Sequence, residues 1–130
     1  MALENYKEIL HRCYKCQYCR LTGPADFYDN CPSYVKYKFE TFTGGGRVWI
    51  AKGIYEKELK LGDQTSDILF ACPTCGSCMA NCFYPIKDYI LGIIEAARSE
   101  AVQAGVKLPG NQRPCRYASV HFTKKQPHLD

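Results

Sequence analysis

Three cysteines spaced three residues apart occur in the most informative stretch of this sequence, Cys13-Tyr14-Lys15-Cys16-Gln17-Tyr18-Cys19. The same spacing recurs 59 residues later in Cys72-Pro73-Thr74-Cys75-Gly76-Ser77-Cys78. A fourth cysteine follows each run, Cys31 after the first and Cys82 after the second. We expect these two copies of one pattern to decide the fold, because a chain of 130 residues can bury only a modest core.

Cysteine triplets of this kind are typical of [4Fe-4S] ligation, in which each of the four irons takes one thiolate. Two copies of the triplet predict two clusters. In two-cluster proteins the fourth cysteine of each run binds the other cluster, so the two halves of the chain are tied together. The first set, for cluster 1, is Cys13, Cys16, Cys19 and Cys82; the second set, for cluster 2, is Cys72, Cys75, Cys78 and Cys31.

Zinc is the alternative metal, because eight thiolates could also form two tetrahedral sites. Structural zinc normally takes pairs of Cys-x-x-Cys, so the third cysteine of each run would have no role. Disulfides are disfavoured by the odd count of nine cysteines and by a charged N-terminus without an apolar secretory signal. The ninth cysteine, Cys115, is predicted to be an unligated thiol.

The formal charge of +4 lies entirely in the C-terminal part of the chain, since residues 1–106 sum to zero. The sequence lacks the basic, aromatic-interleaved face of a nucleic-acid binder, so no nucleic-acid partner is predicted. A zinc-stabilised interaction or nucleic-acid-binding module stays as the alternative function. An enzyme that binds substrate on a cluster would need a missing cysteine, and none is missing, so no catalytic residue is predicted.

Basic residues surround the first run, whereas the second run has no charged residue up to its fourth cysteine. Reduction adds negative charge, which nearby cations stabilise, so this distribution predicts the higher reduction potential for cluster 1. The cations concerned are His11, Arg12, Lys15 and Arg20.

Apolar residues around the runs recur at helical spacing. They predict a short N-terminal helix over residues 3–13 and a second helix over residues 48–62. A third helix, capped by Thr65 or Ser66, leads into the second run. Gly44-Gly45-Gly46 lacks the lysine of a phosphate-binding loop and is interpreted as a flexible lead-in to the second helix.

The strongest helical pattern begins at Pro85 and stops at Gly105, while residues 34–39 are the only strand candidate. The predicted fold is therefore mostly α: a helical domain over residues 1–107 that holds the two clusters, followed by an extended or disordered basic tail over residues 108–130. The longest apolar run is too short to span a bilayer. The predicted location is cytoplasmic, with membrane association only through a partner.

Four stretches resemble the helical-ferredoxin domain of heterodisulfide reductase C/D-type iron-sulfur proteins. They are the first run through Cys31-Pro32-Ser33, Phe39-Glu40-Thr41-Phe42, Gly46-Arg47-Val48-Trp49-Ile50-Ala51-Lys52-Gly53, and the second run through Cys82. The resemblance covers about residues 5–108. Similar domains occur in the iron-sulfur subunits of anaerobic glycerol-3-phosphate dehydrogenase, glycolate oxidase and benzoyl-CoA reductase systems.

The resemblance implies a protein that relays electrons through two [4Fe-4S] clusters in anaerobic metabolism. The implied donor is a flavoprotein or a hydrogenase-type subunit, and the implied acceptor is a terminal catalytic subunit of the Cys-Cys-Gly type. Larger relatives contain Cys-Cys-Gly repeats that hold a catalytic cluster, and this sequence has none. The chain is therefore expected to be a non-catalytic electron-transfer subunit of an oxidoreductase complex.

Overall fold

The structure, a computed structural model, describes residues 1–21 and 28–109. Five α-helices lie in these residues: α1 (Pro32–Tyr37), α2 (Gly44–Tyr55), α3 (Asp63–Phe70), α4 (Ser77–Asn81) and α5 (Ile90–Gln103). The same residues contain five short 3₁₀ helices: Ala2–Tyr6, Leu10–Arg12, Tyr18–Arg20, Glu40–Phe42 and Pro85–Tyr89. The described residues form no strand, only an isolated antiparallel bridge between Leu21 and Asp29. The prediction of a mostly helical fold is confirmed.

The core lies between α2 and α5, which pack against each other. Apolar residues at helical spacing on each helix are buried there, because that spacing places them on one face. The N-terminal 3₁₀ helix Ala2–Tyr6 packs on α5, and its Ala2 N–H donates to the carboxylate of Glu100. The core side chains include Leu3, Val48, Ala51, Ile54, Ile93, Ile94 and Ala97.

The last helix follows the sequence pattern closely. Pro85 opens the 3₁₀ helix Pro85–Tyr89, which continues directly into α5. α5 ends at Gln103, and Gly105 adopts a left-handed φ of 70° two residues later. Proline at the start and glycine past the end are the positions where each residue favours a helix boundary.

The strand predicted at residues 34–39 is wrong, because these residues begin inside α1. Pro32 occupies the first turn of α1, where its fixed φ and missing N–H favour a helix start. Lys38, with a φ of 61°, ends the helix after Tyr37.

Two other helix predictions need correction. The second helix ends at Tyr55 instead of near residue 62, because the Gly53 carbonyl accepts the N–H groups of Glu58 and Leu59 and turns the chain back. The third helix is capped at Gly62, not at Thr65 or Ser66. Thr65 lies inside α3, and its hydroxyl accepts the Gly62 N–H at 2.9 Å.

The predicted N-terminal helix is two 3₁₀ helices, Ala2–Tyr6 and Leu10–Arg12, that bury Leu3 and Leu10. Cys115 and nearly all of the predicted tail lie outside the described residues. No helix in the described part of the chain is long and apolar enough to cross a membrane.

Candidate metal centre

The two cysteine runs repeat each other in the structure as well as in the sequence. In each run the first cysteine is half-buried, the middle one is exposed and the third is buried. The exposed pair is Cys16 and Cys75, and the buried pair is Cys19 and Cys78. Each run therefore places its middle cysteine at the surface and its third cysteine in the interior.

The backbone of the two runs repeats as well. The residues on either side of each middle cysteine have left-handed φ angles: 56° at Lys15, 62° at Gln17, 59° at Thr74 and 79° at Gly76. A pair of left-handed residues curls the chain tightly around the cysteine between them. Only one of these four positions has the glycine that this conformation favours, so both loops hold backbone strain.

Substituting Gly76→Ala is expected to destabilise the protein by about 1–2 kcal/mol, the usual cost of a left-handed φ for a residue with a Cβ. Steric overlap is not the cause, because a Cβ there would come no closer than 3.9 Å to Leu91. Anaerobic urea unfolding measures the change. Gly76→Asn, which also adds a Cβ but tolerates a left-handed φ, is the comparison; a loss as large as that of Gly76→Ala would contradict the argument.

The first set meets at one cavity. The lining of this cavity includes Cys13, Cys16, Cys19 and Cys82. The charges of the other three thiols act on Cys19, which also indicates their proximity. The structure thus brings together the four cysteines that the sequence assigns to cluster 1, and their ligation of iron remains a prediction.

Gly45, at the start of α2, forms a wall of this cavity. A Cβ on Gly45 would lie 3.4 Å from the Sγ of Cys19 and 3.5 Å from that of Cys13. The Gly45 N–H donates to Cys19 Sγ at 3.4 Å, and Trp49 Nε1 donates to the Cys13 carbonyl at 3.1 Å. An N–H group directed at sulfur from a helix N-terminus favours negative charge there. The cavity therefore fits a thiolate-ligated anionic group such as an iron-sulfur cluster.

Two members of the second set lie beside a buried arginine. The charges of Cys72 and Cys31 both act on Arg47, which lies on α2. Arg47 Nη2 donates to Ser33 Oγ at 3.0 Å, and that hydroxyl lies 3.4 Å from Cys31 Sγ. The charges of Cys72 and Cys31 also act on the buried Cys78. Three of the four cysteines of the second set are thus near one another.

Cys75, the fourth member of the second set, lies at the surface. Its Sγ donates to Ser77 Oγ at 3.6 Å. Partial burial opposes ionisation, but hydrogen bonds from Ser77 outweigh it and lower the pKa of Cys75. A thiol that ionises readily is suited to bind a metal, because the thiolate is the ligand.

Cys19 and Cys78 would keep their protons in the absence of metal. Burial, together with the nearby charges of Cys19 and Cys72, raises the pKa of Cys78 to about 12. Burial also raises the pKa of Cys19, although the Gly45 N–H acts in the opposite direction. Metal binding must displace these protons, so cluster assembly and the local fold are coupled.

The two sets adjoin each other at the first turn of α2. A Cβ on Gly44 would lie 2.7 Å from the Cβ of Cys78 and 3.0 Å from its Sγ, while Gly45 faces Cys19. The 3₁₀ helix Tyr18–Arg20 packs on α4, which carries Cys78. The first turn of α2, which has no side chains at Gly44 and Gly45, therefore lies against the third cysteine of both runs, and we call this turn the glycine wall.

The interpretation of the three glycines as a flexible lead-in is wrong. Gly44, Gly45 and Gly46 form the first turn of α2, which begins at Gly44. Thr43 caps this turn, since its Oγ1 accepts the Gly46 N–H at 3.0 Å. A side chain at Gly44 would collide with Cys78, so close approach explains this glycine.

The cations around the two sets differ from the sequence-based expectation. Arg20, beside the first run, is paired with Asp29. At the second set, Arg47 is fully buried and Arg98 donates to the Cys72 carbonyl at 2.6 Å. The second run itself contains no charged residue, but α2 and α5 bring Arg47 and Arg98 to the second set from elsewhere in the chain. The higher reduction potential of cluster 1 stays a prediction.

Sequence reasoning gave Arg47 no role, although the sequence contains a signal for it. Arg47 shares helical spacing with Ile50, Ala51 and Ile54, so it falls on the buried face of α2. A charged residue on the buried face of a helix is rarely left without a counter-charge. The helical spacing of Arg47 could therefore have identified it as a residue with a role at the site.

The possible metal ligands of the described residues do not converge on a single point. Within residues 1–21 and 28–109, no group of three or more His, Cys, Asp or Glu side chains is arranged to hold a single metal ion. A cubane places its thiolates on four separate irons, so its ligands need not converge on one point.

Comparison with known proteins agrees with this chemistry. Residues 9–86 match the family described as the 4Fe-4S dicluster domain. The match covers more than half of the chain, so the protein belongs to this family of iron-sulfur, ferredoxin-like domains. Family membership supports [4Fe-4S] clusters as cofactors and electron transfer as their use, and a count of two fits a dicluster domain. The searches of curated proteins and of solved structures found no match.

Proposed function

We propose that this protein is a heterodisulfide reductase-like electron-transfer subunit that relays electrons through two [4Fe-4S] clusters. The observation that carries the proposal is the meeting of the first set at one cavity, with Cys82 brought beside a run that ends at Cys19. When bound, each cluster accepts and donates one electron at a time. The first set holds cluster 1, and the second set holds cluster 2.

The chain's own residues define a route between the two sites. The exposed cysteines, Cys16 and Cys75, offer one port to solvent at each site. The buried cysteines, Cys19 and Cys78, both lie against the main chain at Gly44 and Gly45. Electrons entering at one port would pass between the two sites near this turn and leave at the other.

The proposed role requires partners. An electron relay needs a donor and an acceptor on other polypeptides. We assign the donor as a flavoprotein or hydrogenase-type subunit, and the acceptor as a Cys-Cys-Gly-type catalytic subunit, on the basis of the sequence resemblance. One partner would dock over Cys16 and the other over Cys75, because these positions are exposed.

Anaerobically purified protein is expected to be brown and to contain about eight irons and eight inorganic sulfides per chain, as two [4Fe-4S] clusters require. Iron and sulfide assays test the number, and EPR spectroscopy after stepwise reduction tests the cluster type. Well-folded protein that holds zinc without sulfide would contradict the proposal. About four irons per chain would contradict the two-cluster relay.

A further inference from the structure

Arg47 is a buried charge without an opposite charge in the described part of the protein. Its exposed fraction is 0%, and its side chain makes no ion pair with a described carboxylate. All of its hydrogen-bond acceptors are neutral: the Ile68 carbonyl at 2.8 Å, the Phe42 carbonyl at 2.7 Å and Ser33 Oγ at 3.0 Å. A buried cation normally requires a counter-charge, because desolvation alone is costly.

The nearest source of negative charge is the second set. Burial lowers the pKa of Arg47, and the charges of Cys72 and Cys31 act in the opposite direction, toward its protonated form. Ser33 links the two groups, since its hydroxyl contacts both Arg47 Nη2 and Cys31 Sγ. The geometry points to Arg47 as the fixed counter-charge of cluster 2, a positioning residue that holds the midpoint potential of that cluster above the value it would otherwise have. This inference rests on the proposed function.

The physical argument concerns the charge added on reduction. An oxidised cubane with its four thiolates carries about −2, and one electron from the donor makes it about −3. A cation that is shielded from water stabilises the added charge more than an exposed cation does. Arg98 also lies near the second set but is only half-buried, so solvent screens its effect more strongly.

The test is an anaerobic, EPR-monitored redox titration of the full-length, cluster-loaded protein. Arg47→Gln and Arg47→Met remove the charge, whereas Arg47→Lys keeps it. Lys60→Gln removes one charge at an exposed position and is the matched control. We expect the two neutral variants to lower one midpoint potential and leave the other unchanged, with a smaller fall for Arg47→Lys and none for Lys60→Gln.

Unchanged midpoint potentials in neutral variants that still hold about eight irons would overturn the inference, and so would equal shifts in the neutral and lysine variants. If the neutral variants lose cluster 2, the Arg47→Lys variant distinguishes the two explanations. Retention of both clusters in that variant supports the counter-charge role of Arg47, whereas loss of cluster 2 overturns it in favour of a purely geometric role. The proposed function fails separately, through wild-type protein without iron and sulfide.

Discussion

The double variant Cys16→Ala/Cys82→Ala is expected to keep about four irons, whereas Cys75→Ala/Cys82→Ala is expected to keep almost none. Crossed ligation makes Cys82 a partner of Cys16, so the first variant damages one cluster and the second damages both. If each fourth cysteine instead binds the cluster of its own run, the first variant is expected to lose almost all of its iron and the second to keep about four irons. The structure favours the crossed arrangement, because Cys82 and Cys16 line the same cavity.

Iron and sulfide assays on anaerobically reconstituted protein measure this difference. Circular dichroism shows whether each variant retains its helices, since loss of one cluster could unfold the loop that holds the other. Cys115→Ser is the control and should retain about eight irons, because the sequence gives this cysteine no ligand role. Retention of about four irons by the Cys75→Ala/Cys82→Ala variant would exclude the crossed assignment.

The second large effect is expected at the glycine wall. Gly44→Ala would place a Cβ 2.7 Å from the Cβ of Cys78, so the two elements must move apart. Overpacking of this kind typically costs about 1–3 kcal/mol. Because the displaced side chain belongs to the second set, we also expect the variant to lose part of cluster 2 and to bind fewer than about eight irons.

Gly45→Ala is the matched comparison. It lies in the same helical turn and gains the same helix propensity, but its Cβ would make ordinary contacts of 3.4 and 3.5 Å with the sulfurs of Cys19 and Cys13. The difference between the two variants in anaerobic urea unfolding therefore reports the contact with Cys78. Equal stability of Gly44→Ala and Gly45→Ala would contradict the close approach.

The helical class of the fold and the grouping of the first set could be predicted from the sequence, because both depend on the spacing of residues along the chain. A 59-residue repeat of three cysteines indicates two equivalent loops, and the structure repeats them down to the left-handed φ angles of Lys15 and Thr74. α5 was accessible for a similar reason, since Pro85 and Gly105 mark its boundaries.

Spacing did not predict features that depend on contacts between distant segments. Residues 34–39 alternate enough to suggest a strand, yet Pro32 starts a helix that places Ser33 beside Arg47. The charge around the second set was not predicted for the same reason, because Arg47 and Arg98 reach it from other helices. A local sequence pattern shows only the charges within one run and not those that other helices bring to it.

The glycine wall at Gly44 and Gly45 has a consequence for how such a relay can be adjusted. Substitutions at these two glycines act on the spacing of the sites, because a Cβ there would press on Cys78 or contact Cys19. Side chains around each site, such as Arg47, can change while this backbone turn stays as it is. Spacing, which governs how fast an electron tunnels, and driving force, which governs its direction, are thus separable properties of this small domain.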